Sequence, residues 1–258
     1  MTNPIFYANH AELAALAEGE LYVLGGPEGR HATTVKRLAA GEPVDLADGA
    51  GLRLACTVAA AAPGELTVRV DAASREDAPA LQLVLVQALA KGDRDEQAIE
   101  TSTELGVDAV LPWQSERSIV RWKGDKAAKG VQKWSNVVST AAKQARRAWI
   151  PGVGSIVQSS ELPARIAAAR LALVMHEDAI ESLRSVVAAR LGAPGQDVEG
   201  EILVIVGPEG GISPREVELF TAAGAHLALL GPHVLRSSTA GPAAVVLLSE
   251  MLGRWDPS

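Results

Sequence analysis

Residues 202–216 read ILVIVGPEGGISPRE, a segment that predicts a strand, a loop and the first turn of a helix. The apolar run Ile202–Val206 is typical of a strand buried on both faces of a parallel sheet. The three glycines of Gly207–Gly211 allow the backbone to approach a ligand closely and to adopt positive φ. Ser213 as N-cap and Glu216 three residues later predict a capping box. This segment therefore predicts an α/β fold with a loop at the carboxyl end of a strand, where ligands bind in open sheets.

Strands and helices alternate on both sides of this segment, which predicts an α/β domain with a mainly parallel sheet over residues 80–258. The predicted strands are Leu81–Leu89, Val107–Pro112, Leu171–Met175, Ile202–Val206 and His226–Leu230. The predicted helices are Arg94–Leu105, Lys126–Arg147, Ile180–Leu191, Pro214–Ala223 and Ala240–Leu252.

Residues 1–74 show a different pattern, with short apolar runs separated by turn signals, which predicts a small β-barrel or sandwich. Its predicted strands are Leu21–Leu24, Pro43–Leu46, Leu52–Val58 and Leu66–Val70, with one helix at His31–Leu38. Residues 75–79 are polar, end in proline and are the predicted linker to the second domain.

The composition is that of a folded protein, because 48% of the 258 residues are hydrophobic and 21% are charged. Cys56 is the single cysteine, which excludes an internal disulfide and a thiolate metal cluster and favours the reducing cytoplasm. The apolar stretches are too short or too interrupted to span a bilayer, so no membrane association is expected. The N-terminal residues do not resemble a signal peptide. No set of ligands with usable spacing predicts a metal site.

The charge is unevenly distributed along the chain. The net charge is −7, yet residues 117–147 contain nine basic residues and one acidic residue, Asp125. A concentrated positive field suits a polyanion better than the net charge suggests, so this segment predicts RNA binding. The alternative interpretation is a solvated helix face.

A second loop, residues 230–241, reads LGPHVLRSSTAG and follows the predicted strand that ends at Leu230. Its hydroxyl side chains are predicted to cap the final helix. Arg236 precedes that helix, where the macrodipole disfavours a cation, and this favours a functional role. His233 is interpreted as a surface histidine.

Gly207–Gly211 alone does not identify a ligand. The loop lacks both the dinucleotide fingerprint and the phosphate-loop lysine, and taken alone it is better explained as a tight strand-to-helix turn. The pair of loops is more specific, because GPEGG–I–S and LGP–x–x–LR–S–x–T–A together resemble the C-terminal motifs of the RsmE family of SPOUT-class RNA methyltransferases. The resemblance extends over nearly the whole chain, through Ala90–Arg94, Thr103–Val107, Ser115–Ser118, Lys143–Arg147 with Pro151, and Gly29–Leu38 with Asp48 and Gly49.

The resemblance implies an S-adenosylmethionine-dependent enzyme that forms N3-methyluridine in 16S ribosomal RNA of the small ribosomal subunit. It implies a deep trefoil knot in the second domain, a PUA-like β-barrel in the first, and a homodimer. The implied cofactor-binding residues are Val206, Gly207, Pro208, Glu209, Gly210, Gly211, Leu230, Gly231, Leu235, Arg236, Ser237, Ser238, Thr239 and Ala240. The predicted RNA-binding residues are Arg30, Arg117, Arg121, Lys123, Lys143, Arg146 and Arg147.

Arg236 is the predicted catalytic residue, because a fixed guanidinium stabilises the negative charge that develops when uridine N3 loses its proton. Glu209 is a weaker candidate for the general base, and the competing interpretation is that it fixes the loop through backbone hydrogen bonds.

Two positions depart from the family pattern. Ser238 stands where the family often has Glu, and His233 where it often has Arg. Because Ser238 replaces this Glu, the sequence leaves open a second function, that of a non-catalytic RNA-binding assembly factor. The sequence also leaves open a SPOUT methyltransferase that acts on another RNA, and an ordinary small-molecule enzyme with an α/β sheet.

Overall fold

The computed structural model describes residues 3–191 and 199–256 of the chain, which divides into two compact units. The first unit consists of residues 1–78 and 142–150, and the second of residues 79–141 and 151–258. The sequence predicted the first domain as 1–74 with a linker at 75–79, and it did not predict that residues 142–150 belong to the first unit.

The first unit contains a five-stranded sheet in the order β1-β3-β4-β5-β2. Strand β1 pairs with β3 in parallel, and the other pairs are antiparallel. Its core is mainly aliphatic and is built around Phe6, Leu46, Leu54 and Leu66. The elements are β1 (Ile5–Tyr7), α1 (His10–Ala14), β2 (Leu21–Leu24), α2 (Gly26–Arg30), a π-helical turn (His31–Val35), β3 (Pro43–Ala47), β4 (Leu52–Ala62) and β5 (Glu65–Arg75).

Residues 142–150 join this unit through hydrogen bonds to backbone carbonyls. The Tyr7 hydroxyl donates to the carbonyl of Arg147 at 2.8 Å. The Arg53 guanidinium donates to the carbonyl of Arg146 at 2.9 Å, and the Trp149 indole donates to that of Glu76 at 2.9 Å. These contacts join residues more than seventy positions apart, so local sequence patterns do not reveal them.

The second unit contains a seven-stranded parallel sheet in the order β12-β10-β11-β6-β7-β8, with β9 also paired to β7. Its strands are β6 (Leu81–Ala88), β7 (Ala109–Gln114), β8 (Gly152–Val153), β9 (Val157–Gln158), β10 (Leu171–Met175), β11 (Gly200–Val206) and β12 (His226–Ala228). Its helices are α3 (Arg94–Glu104), α4 (Asp125–Gln144, whose last residues belong to the first unit), α5 (Leu162–Ala168), α6 (Leu183–Leu191), α7 (Pro214–Ala222) and α8 (Ser237–Met251). The alternation of strands and helices confirms the predicted α/β class.

Several predicted boundaries are wrong. The helix predicted over Lys126–Arg147 ends at Gln144, and Arg146 adopts a left-handed φ of 58°. The strand predicted from Val107 begins at Ala109, because the amide of Val107 closes the end of α3 by donating to Ser102. The helix predicted over His31–Leu38 is instead a π-helical turn at His31–Val35, which follows the short α-helix Gly26–Arg30.

Helix α8 begins three residues earlier than predicted. Arg236 is its N-cap and makes no side-chain capping hydrogen bond. The prediction that the hydroxyls of the second loop cap this helix is therefore wrong, since Ser237 and Ser238 lie inside its first turn.

Candidate active site

A cavity of about 820 Å³ lies in the second unit, at the carboxyl ends of three neighbouring parallel strands, β12, β10 and β11. This is the position where open α/β sheets bind ligands, and the volume is in the range of small-molecule sites. Three loops surround it, one after each strand. They are Met175–Asp178 after β10, Val206–Ile212 after β11 and Leu229–Leu235 after β12, together with Ser237 and Ala240 of α8.

The loop after β11 is held in shape by the predicted capping box. The Ser213 hydroxyl accepts from the amide of Glu216 at 3.1 Å, and the Glu216 carboxylate accepts from the amide of Ser213 at 2.9 Å. Gly207 is required by space, because a Cβ there would lie 2.6 Å from a side-chain carbon of Ile212. Gly211 has a φ of 72°, which other residues adopt only with strain. These local features fix the part of the loop that leads into α7.

Glu209 lines the cavity and holds two loops together. Its carboxylate accepts from the amide of Lys91 at 2.9 Å and lies 3.5 Å from the guanidinium of Arg94. Both partners belong to the segment that follows β6, the strand next to β11. This arrangement agrees with the interpretation that Glu209 fixes the loop through backbone hydrogen bonds.

The loop after β12 leads directly into the first turn of α8. The Ser237 hydroxyl lies at the cavity, is buried, and has no hydrogen-bond partner in the described part of the chain. A buried hydroxyl without a partner is costly, and a ligand in the cavity would remove that cost. Gly241, one turn further, allows α8 to pack closely on β6, since a Cβ there would lie 3.0 Å from both methyl carbons of Leu85.

Ten of the fourteen predicted cofactor-binding residues line the cavity: Val206, Gly207, Glu209, Gly210, Gly211, Leu230, Gly231, Leu235, Ser237 and Ala240. The other four, Pro208, Arg236, Ser238 and Thr239, do not line it. Arg236 and Thr239 are exposed, and Pro208 and Ser238 are buried. Other lining residues were not among the predicted ones, including Arg117 and the whole loop Met175, His176, Glu177 and Asp178. The buried strand that ends at Met175 is the signal that could have found this loop.

A network of hydrogen bonds connects residues 115–118 to the start of α7. Glu216 is fully buried, and its carboxylate accepts from the amide of Glu116 at 2.7 Å and from the Ser159 hydroxyl at 2.6 Å. Glu116 in turn accepts from the Ser213 hydroxyl at 2.6 Å and pairs with Arg215. The hydrogen bond from Ser213, with help from Arg215, lowers the pKa of the Glu116 carboxyl.

The predicted RNA-binding residues fall in both units. Arg30, Lys143, Arg146 and Arg147 belong to the first unit, and Arg117, Arg121 and Lys123 to the second. Lys143 pairs with Glu28, Arg117 donates to the carbonyl of Gly210, and Arg121 donates to that of Glu116. These contacts use part of the hydrogen-bonding capacity that was predicted for RNA.

Residues 3–191 and 199–256 contain neither a metal-binding cluster nor a membrane-spanning helix. No group of three or more His, Cys, Asp or Glu side chains there is arranged to hold a metal ion. No helix in these ranges has the length and hydropathy needed to cross a membrane.

Comparison with known proteins identifies the family. Residues 76–249 match the model of the RNA methyltransferase domain family. The chain is 41% identical to ribosomal RNA small subunit methyltransferase E of Mycobacterium bovis over 246 residues, which cover 93% of this chain and 90% of that protein. The chain belongs to the ribosomal RNA small subunit methyltransferase E family. The member from Bacillus subtilis is 28% identical over 87% of this chain and 88% of its own length.

Solved structures agree with this membership in the methyltransferase E family. The family member from Neisseria gonorrhoeae, solved bound to S-adenosyl methionine, is 27% identical and superposes with a TM-score of 0.79 over 96% of this chain and 98% of its own. A methyltransferase from Legionella pneumophila, solved with the bound cofactor SAM, is 28% identical with a TM-score of 0.81 over 97% and 98% of the two chains.

Proposed function

We propose that this protein transfers a methyl group from S-adenosylmethionine to N3 of one specific uridine in 16S ribosomal RNA of the small ribosomal subunit. The observation that carries the proposal is the cavity at the carboxyl ends of β12, β10 and β11, lined by both loops of the family motif. Membership of the methyltransferase E family supports the reaction and the RNA substrate, and the cofactor bound in two similar structures supports S-adenosylmethionine.

The residues of the cavity fit this cofactor. Its volume of about 820 Å³ accommodates a nucleoside with an amino-acid tail. Apolar side chains such as Val206, Leu227 and Leu235 offer surfaces for an adenine ring, and the glycine-rich loops offer backbone hydrogen-bonding groups. The Ser237 hydroxyl is a buried group that still lacks a partner among the described residues. Val206–Gly211, Leu230, Gly231 and Leu235–Ala240 are the residues we propose to hold it.

The protein contributes positioning and electrostatics to the reaction. S-adenosylmethionine supplies an electrophilic methyl group when it is bound. The target uridine leaves its stack to reach the cavity, and its N3 proton must be removed. Negative charge then develops on N3, O2 and O4 of the uracil, and a positively charged side chain nearby lowers the barrier to methyl transfer.

We infer that Arg236 provides this charge. Its exposed position at the N-cap of α8, beside the cavity residues Leu235 and Ser237, supports this role. Because its side chain is exposed, its guanidinium is available to an incoming base. In single-turnover methylation, Arg236→Ala should reduce the rate about 100-fold or more. Retained chemistry with weaker RNA binding would instead assign Arg236 to RNA phosphate.

We further infer the finer architecture implied by the family resemblance. The second unit would contain a deep trefoil knot through the loops at 206–211 and 230–241, and the first unit would be a PUA-like RNA-binding domain. The enzyme would act as a cytoplasmic homodimer. Arg30, Arg117, Arg121, Lys123, Lys143, Arg146 and Arg147 are the residues we propose to contact RNA.

The reaction can be tested with purified protein, unmodified small ribosomal subunits and methyl-labelled S-adenosylmethionine. Label should enter 16S RNA, and digestion to nucleosides should recover it as N3-methyluridine. Label in transfer RNA or on a ribose 2′-hydroxyl would contradict the proposal.

A further inference from the structure

We propose that Arg117 binds the carboxylate at the amino-acid end of S-adenosylmethionine, and that Glu216 is the positioning residue that holds Arg117 in place. This inference rests on the proposed function, because it needs that cofactor in the cavity. Arg117 was predicted only as an RNA contact, and the contacts of its side chain point to a second role.

Arg117 lies against the glycine-rich loop that lines the cavity. Its guanidinium donates to the carbonyl of Gly210 at 3.0 Å. A Cβ on Gly210 would lie 3.4 Å from the Cβ of Arg117, and one on Gly211 would lie 3.7 Å from its guanidinium. Both distances are ordinary van der Waals contacts, and they place the arginine side chain directly against the loop.

The charges around the cavity explain why an arginine is needed there. Arg117 is the only lysine or arginine among the described residues that line it, and four lining residues are acidic: Glu177, Asp178, Glu209 and Glu218. Acidic walls suit the sulfonium and ammonium groups of the cofactor and repel its carboxylate. Guanidinium groups bind carboxylates through short, charge-assisted hydrogen bonds. Arg117 therefore supplies the positive charge that the cofactor carboxylate needs and that the acidic lining residues cannot provide.

The Arg117 guanidinium has hydrogen-bonding capacity to spare. It carries five N–H donors, and its one side-chain hydrogen bond within the described ranges is to Gly210. The nearest carboxylate along the chain, Glu116, is already engaged by Ser213 and Arg215. No carboxylate of residues 3–191 and 199–256 forms an ion pair with Arg117.

Glu216 fixes the backbone from which Arg117 projects. Its buried carboxylate accepts from the amide of Glu116, one residue before Arg117, and also from Ser159 and Ser213. The amide of Arg117 itself donates to the Ser115 hydroxyl at 3.2 Å. Three donors on one buried carboxylate hold this segment firmly, so the backbone from which Arg117 projects has little freedom left to lose when a ligand binds.

Two probes separate the two ends of the cofactor in calorimetric titrations of the full-length protein. S-adenosylhomocysteine carries the amino acid, and 5′-methylthioadenosine lacks it. Arg117→Gln should weaken binding of the first about 10- to 100-fold, the effect of losing a charge-assisted hydrogen bond, and should leave binding of the second unchanged. Lys129→Gln removes an exposed charge of the same unit away from the cavity and is the matched control.

The role of Glu216 is tested in the same assay by a double-mutant cycle. Glu216→Gln should lower the affinity for S-adenosylhomocysteine relative to that for 5′-methylthioadenosine. When Arg117 is already replaced by Gln, adding Glu216→Gln should lower this ratio no further. Equal loss of both probes in Glu216→Gln would mean that Glu216 only stabilises the loop, and would overturn its positioning role.

The outcomes distinguish this inference from the proposed function. If the unmodified protein binds S-adenosylhomocysteine and Arg117→Gln binds it equally well, the carboxylate contact is wrong even though the cofactor site is right. If the unmodified protein binds neither probe, the proposed function itself fails. Weaker RNA binding with unchanged probe affinities would return Arg117 to the RNA-binding set.

Discussion

Glu216, whose carboxylate is buried, is the residue on which the local structure of the site most depends. It satisfies the amides of Glu116 and Ser213 and the hydroxyl of Ser159. Glu216→Ala would leave these buried donors without a partner, so we expect the free energy of unfolding to fall by about 3 kcal/mol. Urea denaturation measures this loss. Glu218→Ala, at an exposed position of the same helix, should change stability by less than about 0.5 kcal/mol. A loss of that small size for Glu216→Ala would contradict the network.

Asp95 predicts a pH dependence of stability. Burial raises the pKa of its carboxyl to about 6, although the amides of Ala90 and Glu96 donate to it. Because this pKa is higher in the folded than in the unfolded chain, the ionised group opposes folding, and its contribution to stability falls as pH rises from about 4 to about 6.

Asp95→Asn should therefore stabilise the protein at pH 7 relative to pH 4. The difference in unfolding free energy between variant and parent should grow by up to about 3 kcal/mol over that interval. Urea midpoints at a series of pH values measure it, with the exposed Glu100→Gln as control. A difference that does not change with pH would show that the Asp95 carboxyl is not perturbed.

At the level of single residues, contacts between residues close in sequence were predicted correctly, and contacts between distant residues were not predicted. Ser213 and Glu216 form the predicted capping box, because a capping box depends only on their spacing. The same spacing carries no information that Glu216 also holds residues 115–117, which are about one hundred positions away. Arg117 was accordingly recognised as a basic residue and not as part of the cavity.

Among the elements, the contact between α8 and β6 offers a direct test. A Cβ on Gly241 would lie 3.0 Å from both terminal methyl carbons of Leu85. Alanine favours a helix over glycine by about 1 kcal/mol, but overpacking costs about 1–3 kcal/mol, so Gly241→Ala should lower stability by about 1 kcal/mol. In a Leu85→Val background, the loss should shrink. A stabilised Gly241→Ala would mean that α8 does not pack this closely on β6.

The long, strongly patterned elements were predictable, and the short ones were not. The buried strands β6, β10 and β11 carry continuous apolar runs, which identify them without further information. Strands β8 and β9 have two residues each, and α5 has seven. Their sequences carry too little periodicity, so pairing and packing in the folded chain decide their structure. The Met175–Asp178 loop of the cavity was missed for a different reason. The strand before it was predicted, but the residues that follow the carboxyl end of that strand were not considered as part of the ligand site.

For the whole molecule, the distribution of basic residues predicts a steep salt dependence of RNA binding. If about six of the proposed residues contact phosphates, the affinity should fall about 1,000-fold between 50 and 200 mM salt. Replacing the exposed Arg121 and Lys123 by glutamine should reduce the slope of log affinity against log salt by about 1.5. Filter binding to a 16S RNA fragment measures both. Binding that does not change with salt would exclude the phosphate contacts.

The division into two units was only partly predictable from the chain. The change of pattern near residue 75 indicates a boundary, and the first unit extends to residue 78. Residues 142–150 join the first unit although they follow α4 directly in sequence, because their partners are Tyr7, Arg53 and Glu76. Such a return of the chain depends on contacts that only the folded structure reveals.

The most direct test of the proposed reaction is mass spectrometry of 16S ribosomal RNA from a strain that lacks this gene, compared with its parent. We expect one N3-methyluridine to disappear, to return when the gene is restored, and not to return with a copy carrying Arg236→Ala. An unchanged set of methylated nucleosides in 16S RNA, or a loss confined to another RNA, would contradict the proposed reaction.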